Sequence, residues 1–394
     1  MLIFLVGLSA CGEAPVSATI MPSPPSLTSP PPTNTSVPSQ TPAPTPTSTQ
    51  TLTPTPSISD FKPVLKNTPL PTTEFVIDLD TAKYVVQLAK WSTDGTNGND
   101  IAFMPDGKTI VIGVGLPGVQ FWDFENGVYE RVIQDDYYTK NFTRTSTRLA
   151  ISRSGEYVFF AAAYQWVWNI STNERLSGDQ PTNLVSFDDE SISSLAVSPT
   201  EELLATIGWL DYESDIYLIR FPSLAIKGLY TLESKLTAIT FSPDGQLLAA
   251  GSEDGSILIW HTDDLYPFLI DPKLETDQPI THLSFAPNGQ LAVADSDNRV
   301  MLWDLSTNTS FGFADLPDRI SDMRFSPNQQ IFATASEDHH LRLWNGLTGE
   351  LIAELSGPTQ SIYKLIFSPD GRFIATQETS GTVRIWGVWP YYQP

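Results

Sequence analysis

The chain has 394 residues, 22 Lys+Arg against 45 Asp+Glu for a formal net charge of −23, and a single cysteine. A surface of that sign repels phosphate backbones, so nucleic acid is not expected as a partner, whereas basic peptides and divalent cations are favoured. One cysteine leaves no intrachain disulfide and no Cys-based zinc site within these residues, and 41% hydrophobic residues with 11% aromatics supply a large core.

Leu2 to Leu8 is a short apolar run that ends in Leu8-Ser9-Ala10-Cys11-Gly12, too short to span a bilayer. The motif resembles a bacterial lipobox. That resemblance implies a signal peptide over residues 1–10, lipidation of Cys11, and an extracytoplasmic location on the bacterial cell membrane or envelope, with the lipid as the only membrane attachment. Residues 21–57 hold 12 Pro, 10 Thr and 7 Ser and no charge. Proline fixes φ and removes a donor, so residues 11–60 are expected to be a lipidated, disordered, extended stalk, with the folded domain over 61–394.

Beyond the stalk one pattern recurs seven times. Its clearest copy runs from Ile239 through Ser242-Pro243-Asp244-Gly245 to Trp260. Aligning Pro105, Arg153, Pro199, Pro243, Pro287, Pro327 and Pro369 gives spacings of 48, 46, 44, 44, 40 and 42 residues. Ser-Pro-Asp-Gly places proline where a type I turn needs φ near −65° and glycine where it closes, so the flanking apolar runs form a hairpin. Runs such as Leu247–Ala250 and Ile331–Ala335 do not alternate; they are apolar on both faces, as sheets stacked between neighbours require. The last repeat lacks a fourth strand after Thr382–Trp386, and an orphan segment, Thr81–Leu88, precedes the first repeat. The two are expected to pair and close a ring.

A repeat of about 40–45 residues ending in Trp resembles the WD-repeat family. The fold this implies is all-β: a seven-bladed β-propeller of four-stranded antiparallel blades, closed by an N-terminal strand. The family implies a rigid interaction platform without catalysis. It also implies a hydrogen-bonded tetrad of Asp, His, Ser/Thr and Trp within a blade. Here Asp254, Asp297 and Asp338 take the turn position, and Trp122, Trp168, Trp260, Trp303, Trp344 and Trp386 the strand position. The family histidine does not recur, Arg220 falls where the third tryptophan is expected, and Arg153 replaces the second turn proline.

Chemistry is sparse in the sequence. His339 and His340 fall in a tight turn, His261 follows a repeat tryptophan and His282 precedes a first strand, all structural positions. No metalloprotease, nucleophile-elbow or phosphate-loop motif occurs, and pairs such as Asp135-Asp136 and Asp188-Asp189 lack calcium-loop spacing. No catalytic residue, cofactor or metal is therefore expected. Binding falls to the longer loops, which carry Trp91, Tyr137, Tyr138, Trp209 and Tyr212 among several Asp, an aromatic and acidic mixture suited to a basic peptide. The expected function is a noncatalytic, monomeric protein-binding platform at the membrane's outer side. A structural lipoprotein scaffold in an envelope assembly and a propeller-based hydrolase are the alternatives.

Overall fold

The structure is a computed structural model that describes residues 70, 74–92, 100–114, 118–134, 148–161, 165–176, 194–200, 202–210, 213–232, 234–263 and 274–388, all within the unit Pro54–Pro394. Apart from a 3₁₀ turn at Ala82–Tyr84, the regular structure among these residues is strand, arranged as seven four-stranded antiparallel sheets. Blades 1 to 6 each use four consecutive strands in chain order. Their inner strands are Ile101–Phe103, Arg148–Ile151, Ser194–Val197, Leu236–Phe241, Ile280–Phe285 and Ile320–Phe325.

Blade 7 is assembled from both ends of the domain. Its first three strands are Ile362–Phe367, Phe373–Glu378 and Thr382–Val388, and its outer strand is Val85–Ser92. Val85 pairs with Val388 and Ser92 with Thr382, so the orphan segment closes the ring as the repeat count requires. Inner strands neighbour one another in unbroken order, and that of blade 7 meets that of blade 1.

The packing explains why the strands do not alternate. Seven apolar clusters occur among the described residues, and each joins one blade to the next; Val300, Leu302 and Phe313 of blade 5, for instance, meet Ile320, Met323 and Phe332 of blade 6. Each sheet therefore buries both faces. The closing strand contributes Val85 to the cluster with blade 6 and Val86, Leu88 and Ala89 to the cluster with blade 1. Each fully buried side chain of this kind contributes about 1.5–3 kcal/mol.

The Ser-Pro-Asp-Gly turn is built as read. In blade 4 the Ser242 Oγ accepts from Leu247 N at 2.8 Å, Asp244 Oδ1 accepts from Gln246 N at 3.0 Å, and Gly245 N donates to Ser242 O at 2.9 Å. Gly245 has φ +70, and a Cβ there would meet Thr200 Oγ1 at 1.9 Å, so both conformation and space demand glycine. In blade 2 Arg153 replaces the proline and reaches blade 3, donating to Thr200 O at 2.8 Å.

One expectation is corrected by the register. The turn bond Ser198 N to Leu203 O matches Ser326 N to Ile331 O, so Leu203 and Leu204 of blade 3 correspond to Ile331 and Phe332 of blade 6. Phe332 faces Trp344, whereas Leu204 faces Ile219, and Arg220 lies opposite Leu203. Ile219, fully buried, holds the tryptophan place, and Arg220 is exposed one residue on. A buried, apolar site keeps an apolar side chain, which is why the arginine does not occupy it.

Candidate binding site in the central channel

The inner strands of all seven blades line a channel of about 740 Å³. Much of its polar lining comes from one recurring place, five residues before the turn: Asp100, Arg148, Ser194, Ala238, His282, Asp322 and Lys364. In blades 4 to 7 the residue just before it is a β-bulge: the register skips Thr237, Thr281, Ser321 and Tyr363. Bulges re-aim the following side chain and twist the strand.

These residues lace neighbouring blades together. Asp100 accepts from its own Ile101 N at 3.0 Å and from Leu149 N of blade 2 at 3.1 Å. Asp322 repeats the pattern with Met323 N at 3.0 Å and Leu365 N of blade 7 at 3.1 Å. Ser194 Oγ accepts from Ile239 N of blade 4 at 3.3 Å. His282 Nε2 donates to Ser321 O of blade 6 at 2.9 Å; a carbonyl only accepts, so the proton is on Nε2. His282 Nδ1 is buried without a hydrogen-bond partner.

Charges connect the same groups into one network. Lys364 Nζ lies 3.4 Å from Asp100 Oδ1 and 3.7 Å from Asp322 Oδ2, tying blades 6, 7 and 1. Arg324 Nη2 lies 3.4 Å from Asp322 Oδ1. Arg148 reaches from blade 2 to blade 7, donating to Tyr363 Oη at 2.9 Å with its guanidinium 5.7 Å from the ring centroid. Burial alone would raise the Asp322 carboxyl, but Arg324, Lys364, His282 and the Leu365 N–H together hold it below its ordinary value. Burial pushes His282 down to about 4, against the pull of Asp322. Tyr363 is raised by burial, with Asp100 and Asp322 adding and Arg148 opposing.

The aromatic residues expected to form a binding face are distributed as follows. Trp91 stands in the closing strand of blade 7, its ring 5.9 Å from Trp122 at 32°, with Nε1 buried and unpartnered. Trp209 stands in blade 3, its backbone paired with Ser214, so the two tryptophans belong to non-adjacent blades. Tyr137, Tyr138, Tyr212 and Cys11 lie outside the described residues. His282 does not precede its strand; it lies within it and lines the channel. His340 folds back on its own turn, its N donating to Asp338 Oδ1 at 3.0 Å.

Part of the tetrad is formed. Trp344 Nε1 donates to Thr334 Oγ1 and Trp386 Nε1 to Thr376 Oγ1, both at 2.9 Å. Asp254 accepts from Ser256 N at 2.8 Å and from Ser234 Oγ at 2.9 Å, Asp297 lies 3.3 Å from Arg299, and Asp338 lies 2.7 Å from Arg342. Ser234, just before the first strand of blade 4, thus takes the place a histidine would have held, whereas in blades 5 and 6 an arginine of the third strand pairs with the turn aspartate.

The WD domain, G-beta repeat family matches residues 227–261, 273–304, 314–345 and 349–387, and these matches together with the seven-bladed ring support a propeller of the WD-repeat type. Each match begins on or next to the outer strand of one blade and runs through the first three strands of the next, the offset that leaves blade 7 to be completed by Val85–Ser92. The chain is similar to Periodic tryptophan protein 2 homolog of Dictyostelium discoideum, 26% identical over 217 residues, 52% of this chain and 22% of the relative. It is similar to Protein hir1 of Schizosaccharomyces pombe, 25% identical over 153 residues, 39% of this chain and 14% of the relative. Protein FIZZY-RELATED 2 of Arabidopsis thaliana is 26% identical over 166 residues, 40% of this chain and 34% of the relative. The chain thus spans between 14% and 34% of the length of these curated relatives.

Proposed function

We propose that the chain is a noncatalytic protein-binding platform, carried on the extracytoplasmic face of a bacterial membrane by a lipid on Cys11. The observation that carries the platform reading is the closed ring itself: seven blades joined by inter-blade cores and laced at the channel by Asp100, Ser194, His282 and Asp322. Such a body presents loops in fixed relative positions, which lowers the ordering cost of binding a partner. Similarity to WD-repeat proteins supports the same reading.

A hydrolase would draw support from a histidine and an acid converging in the channel, and His282 and Asp322 do stand there. Both are committed elsewhere. Asp322 accepts from two backbone N–H groups and faces Lys364 and Arg324. His282, with a pKa pushed to about 4 by burial, is mismatched to proton transfer near neutral pH.

The platform is tested by affinity capture from detergent-solubilised membranes followed by mass spectrometry and reconstitution with the purified candidate. A protein that binds in purified form supports the reading; turnover of a substrate by the purified chain with no such protein defeats it. The anchor is tested separately by Cys11→Ser, which is expected to release the protein from the membrane fraction. Retention there would mean that the lipid is not the tether.

A further inference from the structure

We propose that the outer corner of the ring at blade 6 is a docking surface for a protein segment whose apolar side chains are flanked by Lys or Arg. The proposal rests on the platform reading and names a face of the platform and the chemistry of its partner. Of the seven large apolar side chains exposed among the described residues, five gather here: Leu79, Tyr84, Phe311, Leu347 and Leu351. Exposed apolar residues scattered singly need no explanation, whereas a group of them on one surface marks a place of contact. Leu347 is 64% exposed, and Phe311 and Leu351 44% each.

Three stretches of chain bring the five together. Leu347 lies in the turn between the third and outer strands of blade 6, and Leu351 opens the outer strand. Gly346 N donates to Gln330 O at 2.8 Å and Leu79 N to Gln330 Oε1 at 3.3 Å, so the segment that leads into the closing strand meets that turn at one glutamine. Tyr84 ends the 3₁₀ turn, which packs beside the outer strand of blade 6. On the other side, Gly349 lies so close to blade 5 that a Cβ on it would meet Phe313 O at 2.2 Å. The Phe311 ring is 6.5 Å from that of Phe313.

The charged border selects the partner. The stretches 74–84, 309–315 and 345–351 also carry exposed Glu74, Asp80, Asp315 and Glu350, against one cation, Lys83, whose Nζ lies 5.1 Å from the Tyr84 ring centroid. On a chain of net charge −23, this rim repels a second copy and an anionic lipid surface alike. Apolar anchors flanked by Lys or Arg suit it on both counts: the anchors take the leucines and Phe311 out of water, and the cations meet the acids.

Fluorescence anisotropy of the purified chain with two labelled peptides tests this surface, one with a Leu-Phe-Leu centre between lysine triplets, the other with the same centre between glutamate triplets. Saturable binding is expected for the lysine peptide and none for the glutamate peptide. Phe311→Ser and Leu347→Ser change no charge and are each expected to weaken binding about tenfold, whereas Val132→Ser, at the exposed edge of blade 1, is expected to leave it unchanged. Circular dichroism and melting establish that each variant is folded, and either variant at the blade 6 corner alone decides the matter if the other is not. No saturable binding of the lysine peptide, equal binding of both peptides, or undiminished binding in a folded Phe311→Ser or Leu347→Ser variant overturns the proposal. A dimer in sedimentation that Leu347→Ser dissolves, or flotation on phosphatidylcholine vesicles that it abolishes, overturns it too, by giving the corner to a second copy or to lipid. None of these outcomes touches the platform reading, which fails instead on turnover without a binding protein.

Discussion

Blades 5 and 7 share a plan and differ in how completely it is carried out. Both carry a tryptophan near the end of their third strand, and both pair an arginine of that strand with an acid at the end of the second. In blade 7 Trp386 Nε1 donates to Thr376 Oγ1, and Arg384 is sealed against Glu378 at 2.6 Å, the two side chains 3% and 0% exposed. In blade 5 Trp303 Nε1 is buried with no hydrogen-bond partner, and Arg299, which bonds Asp295 at 2.9 Å, remains 48% exposed. The difference follows what each blade must do. Blade 7 is the seam, where Arg384 also donates to Gln87 of the closing strand and Glu378 accepts from Thr359 N and Gln360 N. Polar bonds that join distant parts of the chain have been built deepest where the ring is closed.

The largest break in this comparison is at the buried pair. Arg384→Met leaves Glu378 enclosed without its ion-pair partner, and is expected to cost about 3–5 kcal/mol, read as a drop in the denaturant midpoint. Arg299→Met in blade 5 removes the corresponding, solvent-screened arginine and is expected to leave the midpoint close to that of the parent. Equal losses in the two variants would mean that the seam is not special. Next in size is Thr376→Val, which strips the acceptor from a fully buried indole and is expected to cost about 1–3 kcal/mol. The reciprocal change sharpens the contrast. Val293 faces Met301 two residues from the Leu291–Trp303 pair, just as Thr376 faces Arg384 two residues from the Ile374–Trp386 pair. Val293→Thr therefore offers Trp303 the acceptor it lacks, and a rise of about 0.5–1.5 kcal/mol is expected; a fall would show that the hydroxyl cannot reach the indole.

The blade count and the hairpin turns were legible because both rest on a local turn pattern that recurs seven times. Ser-Pro-Asp-Gly, intact at 242–245 and 368–371 and varied in the other five repeats, sets the period, and a third strand without a fourth names the segment that must complete the last blade. Blade 3 misled for the opposite reason. Counting to Arg220 ignored that strand register is set by which residue is buried, and Ile219 is the buried one. The channel network was not legible at all. Asp100, Arg148, His282, Asp322 and Lys364 come from five repeats, and each is unremarkable within its own. What aligns them is the place five residues before the turn, and counting back from Pro105, Pro287, Pro327 and Pro369 exposes a polar residue every time.

That shared place gives the smallest of the expected effects. Where blade 7 carries Lys364 and blade 6 Asp322, blade 5 carries His282, whose folded pKa of about 4 lies below its ordinary 6.5 because burial disfavours the charged ring. The unfolded chain therefore binds this proton first. Above about pH 6.5 neither state holds it and the histidine has no effect on the pH slope; from there down to about 4 only the unfolded state takes it up, and stability falls. His282→Gln removes this one titration while the carboxylates continue to act at lower pH. Unfolding free energies measured from pH 7.5 to 4 are therefore expected to decline less in His282→Gln than in the parent, with the divergence opening below about pH 6.5. Parallel curves across that window would place His282 in contact with solvent, and the lacing of blade 5 to blade 6 through Ser321 O would then not be holding the ring neutral and closed.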